Sequence, residues 1–234
     1  MSKVVVLLPA LNEEQTIGNT IRDIRRFLPD DDILVIDNCC TDRTAGIAKN
    51  MGALVMRAPI KGKGRAIRDA LGVVNISSAM QATYCIMMDS DFTYPAEYIP
   101  KIIDELDNGA DVVMGYRNSK ASKSMSLLNS AGNVLLSFLA SALYGYRPKD
   151  LCTGLWGFRR EVTEKFVLTS NGFTLEANLF SNAVGLRCRI KQIPISYRAR
   201  PDGSRAKLKI RDGFRIGGFL IKERVRMLVH LNNV

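Results

Sequence analysis

Two aspartates separated by one small residue, Asp89-Ser90-Asp91, follow the hydrophobic run YCIMM and bring two carboxylates to one place. Such a pair repels itself unless a cation joins it. Mg2+ or Mn2+ suits it, because hard divalent ions take a few protein oxygens and leave their other positions to water and substrate phosphates. A second candidate is KGKGRA at 61–66, where Lys61, Lys63 and Arg65 can face an anion and Gly62 and Gly64 let backbone approach a ligand. The same residues also read as an ordinary turn into the helix RAIRDALG, and they match neither the P-loop nor the dinucleotide glycine fingerprint. Asp37 closes another apolar run and is placed either to accept from a ribose or base or to cap the next helix. His230, near the C-terminus, is the sole histidine, which argues against a His-dependent triad and a His-rich metal site.

These residues need a scaffold that gathers them. Apolar, β-branched runs at 4–9, 32–37, 53–58, 84–89 and 111–116 alternate with helical patterns, as in a βαβ series. NEEQTIGNTIRDIRRFL repeats apolar residues at helical spacing, and TDRTAGIAKNMG carries a Thr or Asp cap and a closing glycine. The series predicts a doubly wound, largely parallel sheet whose ligands sit beyond the carboxyl ends of its strands. PALNEE, DNCCTDRT, APIKGKGRA and DSDFTYP all fall at such ends. Beyond residue 117 the pattern changes to a Ser- and Lys-rich connection, then a helix to about Tyr144 and two further strands in GLWGFRR and RIKQIPISYRAR. Pro194 within the last of these predicts an edge position.

The 234 residues suit one substantial domain better than two small ones. Five cysteines, two of them adjacent, fit no zinc spacing and point to a reducing compartment. No apolar run reaches the ~18 to 20 residues that cross a bilayer, and the first is too short for a signal-peptide core. The net charge of +10 is concentrated: residues 187–226 hold thirteen Lys or Arg and three acids, which accounts for the whole excess. That quarter points to an anionic partner, and its solvated-face alternative stays open. Few aromatic residues interleave with the basic run, which argues against a nucleic-acid partner. Phe214, Phe219 and Leu220 among Arg215, Lys222 and Arg226 suit instead a helix lying on an anionic membrane, and the segment 127–144 either joins it or completes the core.

Taken together, PALNEE, Asp37 and the Asp89/Asp91 pair resemble the family two glycosyltransferases of the GT-A fold, with P-x-x-N-E after the first strand, D-D-x-S-x-D-x-T after the second and D-x-D after the fourth. The second motif stands here as DNCCTDRT, with Asn38 for an acid and Cys40 for the serine. Within that family the polyprenyl-phosphate sugar synthases, typified by dolichyl-phosphate mannose synthase, are the nearest in pattern. DSDFTYPAE, VVMGYR, DLCTGLWGFRR, GFTLEANL and IPISYRARPDGSRAKL resemble their successive motifs in order along nearly the whole chain. Trp156 stands where that group usually has an arginine, GSRAKL is one residue out of register, and an Arg and a Ser before the group's interface helix are replaced near Met125 and Asn129. Lys120 and Lys123 lie close enough to supply the missing charge.

The resemblance implies an α/β GT-A fold, a doubly wound mostly parallel sheet flanked by helices with no transmembrane helix. It divides the domain 1–234 into a nucleotide-sugar-binding half (1–117), an acceptor-binding half (118–212) and an amphipathic basic helix (213–234). It implies inverting, metal-dependent transfer of a sugar from GDP-mannose, UDP-glucose or UDP-N-acetylglucosamine to polyprenyl (dolichyl) phosphate. Asp89 and Asp91 would hold the metal, and Arg117, Glu176 and Arg200 complete the catalytic set. Pro9, Ala10, Asn12, Glu13, Asp37, Asn38, Lys63, Gly64, Arg65 and Ser90 would contact the nucleotide sugar. Lys123, Arg200 and Lys207 would meet the acceptor phosphate. The expected location is cytoplasmic, peripheral on the cytoplasmic face of a membrane, with or without a membrane-anchoring subunit. A family two enzyme with a soluble or glycan acceptor is the first alternative. A sugar nucleotidyltransferase is the second, weakened because PALNEEQT is not a glycine-rich loop.

Overall fold

The computed structural model describes residues 3–77, 82–118, 127–200 and 210–231. Four strands, β1 (Val4–Ala10), β2 (Asp32–Asp37), β3 (Leu54–Arg57) and β4 (Tyr84–Met88), pair in parallel in the order β3-β2-β1-β4. Helices α1 (Ile17–Arg25), α2 (Thr44–Asn50) and α3 (Lys63–Ile76) link them, as the alternating pattern predicts. A short helical turn, Ala96–Tyr98, leads into α4 (Ile99–Asp107), which is followed by β5 (Val112–Arg117) and α5 (Leu127–Tyr144). Strand β6 (Leu155–Arg159) and helices α6 (Arg160–Thr163) and α7 (Leu175–Gly185) come next, then β7 (Ile190–Ile195) and α8 (Ile210–Leu231).

All seven strands form one sheet, β3-β2-β1-β4-β6-β5-β7. The parallel order breaks at β6, which inserts antiparallel between β4 and β5, with Ile86 opposite Gly157 and Met114 opposite Trp156. Parallel pairing resumes between β5 and β7. Pro194 lies in β7 at the sheet's edge, where its missing N–H breaks no ladder on the open side.

Both faces of the sheet are covered, so its central strands are apolar on successive residues rather than on alternate ones. Val5 and Leu7 of β1, Leu34 and Ile36 of β2, and Cys85 and Met87 of β4 face one core with α3, α5, α7 and α8. Val4, Val6 and Leu8, Ile33 and Val35, and Ile86 and Met88 face the other, against α1, α2 and α4. Ile17, Ile21 and Ile24 of α1, one helical turn apart, are fully buried there.

Two elements sit differently from the sequence reading. On α8, Ile216 and Leu220 enter the core and Phe219 packs against it, so of the three apolar residues assigned to the outer surface only Phe214 stays out. Helix α5 is split between the two readings: Leu136, Ala140 and Tyr144 are buried, whereas Val134, Leu135 and Phe138 are exposed. Trp156 is wholly buried, stacks on Phe158 at 5.8 Å and donates from Nε1 to the Thr153 carbonyl. The substitution that sets this chain apart from the pattern it resembles thus fills the core.

Helix α4 can lie on β6 only because residue 157 has no side chain; a Cβ there would overlap Ile102 Cγ2. Overpacking of this kind costs about 1–3 kcal/mol. Gly157→Ala should therefore lower the stability measured by urea titration by that amount with the slope unchanged, and an unchanged midpoint would contradict the packing described here.

Candidate active site

The carboxyl ends of the parallel strands β1, β2 and β4 open on one edge of the sheet, and the polar segments following them are fastened together there. Ser90 donates from its hydroxyl to the Pro9 carbonyl, and the Ser90 carbonyl accepts from the hydroxyls of Thr16 and Thr20. The Ala10 carbonyl accepts from the Asn38 amide, while Asn12 is bonded through both side-chain ends to Thr41. Glu13 is buried, receives the Thr16 hydroxyl and donates its amide to Thr44. Asp37 accepts from the Cys40 amide at 2.7 Å and closes the turn after β2. Asn38 reaches across to the Gly62 amide at 2.7 Å and so sets the start of α3. Pro9, Ala10, Asn12, Glu13, Asp37, Asn38 and Ser90 thus belong to one interlocked rim.

Backbone strain marks the same rim. Of the four described non-glycine residues with positive φ, three follow these strands: Asn12 (52°), Cys39 (61°) and Phe92 (63°). A bulky residue in that conformation costs on the order of 1–3 kcal/mol and persists only where its surroundings impose it. At Phe92 they are visible. Asp91 Oδ1 accepts from the Thr93 amide and hydroxyl, Arg198 lies over the Phe92 ring at 4.3 Å, and the Arg198 amide donates to the Thr93 carbonyl. Arg198 is itself held by Asp23 at 2.8 Å.

The carboxylates sit within a set of internal ion pairs. Lys63, the first residue of α3, places Nζ 2.6 Å from Asp89 Oδ1 and 2.6 Å from Glu176 Oε1, and Arg200 Nη2 is 2.7 Å from Asp91 Oδ2. Burial pulls the Lys63 ammonium down, but Asp89 and then Glu176 outweigh it and hold the group well above the ordinary lysine value. Arg200 is likewise raised by Asp91 against the effect of burial. Five of the predicted residues are therefore brought together: Asp89, Asp91, Lys63, Glu176 and Arg200.

The two aspartates offer the oxygen donors that a hard divalent ion takes, with Lys63 and Arg200 as their present counter-charges. Among the described residues no cluster of three or more His, Cys, Asp or Glu is arranged to hold a metal, so two aspartates would be the protein's share.

Other expectations land elsewhere. Gly62 and Gly64 face another part of the chain: a Cβ on Gly62 would overlap the Asn171 carbonyl and one on Gly64 would overlap Ser170. The glycines let this loop press on the segment before α7, which brings Lys63 to Glu176. Arg65 lies on the first turn of α3 with Nε buried and without a hydrogen-bond partner. Arg117 is committed within the protein: Nε and Nη2 fork Asp150 at 2.6 and 2.7 Å, Nη2 also donates to the Cys152 carbonyl, and Asn133 donates to the same carboxylate. Lys120, Lys123 and Lys207 lie outside the described residues.

Residues not singled out from the sequence complete the wall. Tyr94, buried, receives the Gly154 amide at 2.6 Å and meets Tyr197 edge-on at 5.2 Å, with Arg117 over the Tyr197 ring. Gly154 packs on the Asp89 carboxylate so closely that any Cβ would overlap Oδ2, and its carbonyl accepts the Asp89 amide. Burial drives the Tyr94 hydroxyl far above its ordinary value, so it serves as a neutral hydrogen-bonding group. Asp150 and Gly154 sit inside DLCTGLWGFRR, where an acid beside a strand start and a glycine were the available signals.

This sheet, with a carboxylate pair at the carboxyl edge of its parallel strands, has the architecture of a GT-A glycosyltransferase. Residues 5–167 match Glycosyl transferase family 2, and the chain belongs to that family. It is 36% identical over 197 residues to the dolichyl-phosphate hexose transferase of Haloferax volcanii, covering 84% of this chain and 83% of that one. It is 34% identical over 226 residues to the glycosyltransferase AglJ of the same organism, covering 95% and 71%. Among solved structures, glucosyl-3-phosphoglycerate synthase of Mycobacterium tuberculosis, in complex with Mn2+, uridine diphosphate and glucosyl-3-phosphoglycerate, superposes with a TM-score of 0.74 at 22% identity. That match covers 97% of this chain and 80% of the other, and at this identity it speaks for the fold.

Removing one partner of a buried ion pair costs about 3–5 kcal/mol, whereas replacing both by apolar residues is often neutral. Arg117→Met should accordingly destabilise the protein by about that amount, and Arg117→Met with Asp150→Leu should recover most of it. Equal losses in the single and double variants, measured by denaturant titration, would show that the pair does not organise this wall.

Proposed function

We propose that this glycosyltransferase moves a hexosyl group from a nucleoside-diphosphate sugar to the phosphate of a polyprenyl (dolichyl) phosphate, with inversion at the anomeric carbon. The carrying observation is the surface of α5 and α8, two helices packed together. They expose Val134, Leu135 and Phe138 on one and Phe214, Ile221, Val225 and Leu228 on the other. The acids of α8 turn inward: Asp212 and Glu223 are buried and paired to Arg215 and Arg226, while Arg211, Arg215 and Lys222 stay exposed. An apolar face edged by bases alone suits an anionic lipid surface. No helix among the described residues is long and apolar enough to cross a membrane, so contact would be peripheral. The relative named as a dolichyl-phosphate hexose transferase supports the same acceptor class.

In this reading the rim of β1 and β2 receives the nucleoside, and Asp89 and Asp91 are the residues that would hold Mg2+ or Mn2+. When bound, that cation offsets charge on the leaving diphosphate. The chain's own contribution is positioning and positive charge. Lys63 and Arg200 are within reach of phosphates at the carboxylate pair, and guanidinium suits them through its two-pronged geometry. Glu176 orients Lys63. A phosphate monoester has its second pKa at about 6 and is already nucleophilic at neutral pH, so the attacking oxygen needs no strong base from the protein. The sugar is inverted because one displacement occurs and no enzyme nucleophile intervenes.

Incubated with radiolabelled GDP-mannose, UDP-glucose or UDP-N-acetylglucosamine and polyprenyl phosphate, the protein should carry label from one donor into the organic phase. Asp89→Asn and Asp91→Asn should reduce that transfer by about 100-fold or more with the fold intact. Label that stays in water with every donor would favour a soluble or glycan acceptor. Flotation with anionic liposomes tests the surface separately: the protein should float at moderate salt, and Phe138→Asp with Phe214→Asp should sink. A wild-type protein that stays unbound would point to a membrane-anchoring subunit instead.

A further inference from the structure

Each of the two aspartates is already ion-paired to a cation of the chain. Asp91 has both oxygens engaged, Oδ1 by the Thr93 amide and hydroxyl and Oδ2 by Arg200. Asp89 has Oδ1 on Lys63, and its carboxylate lies so near Gly154 that a Cβ there would overlap it. Lys63 and Arg200 therefore occupy directions a divalent ion would need. Two cations at contact distance from one carboxylate repel each other strongly where solvent is largely excluded, and the Lys63 and Asp89 side chains are only 18% and 25% exposed.

We propose that Lys63 and Arg200 are exchangeable counter-charges of the Asp89–Asp91 pair, which a divalent cation must displace, and that nucleoside diphosphate promotes this displacement by drawing both side chains onto its phosphates. Each cation has somewhere to go. Lys63 is shared between two carboxylates, so releasing Asp89 leaves it anchored to Glu176 at 2.6 Å. Arg200 is the more exposed partner, at 30% of its side chain against 6% for Asp91. Asp91 does not follow Arg200, because Thr93 holds its other oxygen through both amide and hydroxyl. The arrangement keeps a buried pair of negative charges compensated in every state: by the chain's own cations when empty, by metal when the diphosphate is bound. Metal and nucleotide then bind with positive coupling, and linkage makes the effect reciprocal.

This inference rests on the metal-dependent transfer proposed above, and one binding measurement separates the two. Mn2+ is titrated into nucleotide-free protein and its unbound fraction is read by electron paramagnetic resonance, with no turnover required. Wild type should bind weakly, Lys63→Met and Arg200→Gln should each bind at least about 5-fold tighter, in the range of ordinary coupling energies, and Asp89→Asn should lose binding. If both cation variants bind no tighter than wild type while Asp89→Asn abolishes binding, the exchange is wrong and the metal site stands. If Asp89→Asn binds Mn2+ as wild type does, the metal assignment falls and the exchange falls with it. Lys63→Met leaves two carboxylates without their shared cation, so a thermal melt accompanies each titration; should that variant not fold, Arg200→Gln decides the question alone.

Discussion

Placing two carboxylates on one edge of a largely dry sheet requires positive charge nearby in every state of the molecule, because uncompensated buried charge is among the costliest things a fold can contain. The organisation around Asp89 and Asp91 follows from that requirement. Lys63 is the first residue of α3, so the loop before it is pinned by Asn38, and the glycines on either side of it let this turn press on residues 170–171. Glu176 must stand at the start of α7 to share that lysine. Arg200 must return to Asp91 from the end of β7, which Arg198 secures through Asp23, Phe92 and the Thr93 carbonyl. The charge balance joins parts of the chain separated by more than a hundred residues, and both halves of the sheet meet at it.

Strain and packing serve the same purpose. Left-handed backbone at Asn12, Cys39 and Phe92 turns the chain sharply as it leaves three adjacent strands, which keeps the polar groups at the rim instead of above it. Tyr94 and Gly154 back the Asp89 carboxylate with a neutral hydroxyl and a bare Cα. Arg117 and Asp150 neutralise each other behind that wall, where a lone charge of either sign would disturb the pair in front.

Much of this was legible in the sequence, and the physical reason is locality. The parallel strands announce themselves as short apolar runs because both of their faces are buried, and the polar clusters at their ends mark the functional edge. Asp89 and Asp91 could be named on residue type and spacing, and Glu176 and Arg200 on the family resemblance of the motifs around them. What escaped depended on pairing across long separations. The direction of β6 is not written in LWGFR, whose pattern would suit either orientation. KGKG reads locally as an anion loop, and only the arrival of residues 170–171 shows that its glycines serve contact between loops. The resemblance puts Arg117 in the catalytic set, and its pairing with Asp150 shows only in the fold. On α8 the apolar stripe is plain from sequence, yet which of its residues turn to α5 and α7 and which to the outside is settled by those helices.

The antiparallel insertion of β6 has a consequence for how the chain is made. Strands β5 and β7 have no ladder of their own to β4; they reach it only through β6, which is synthesised some forty residues after β5. During translation the first four strands can assemble while the inner edge of β4 stands open, and an open edge is an invitation to pair with another nascent chain. The ribosome must deliver LWGFR before that edge finds a stranger. The crowded polysome, rather than the finished enzyme, is where this topology is most exposed to error.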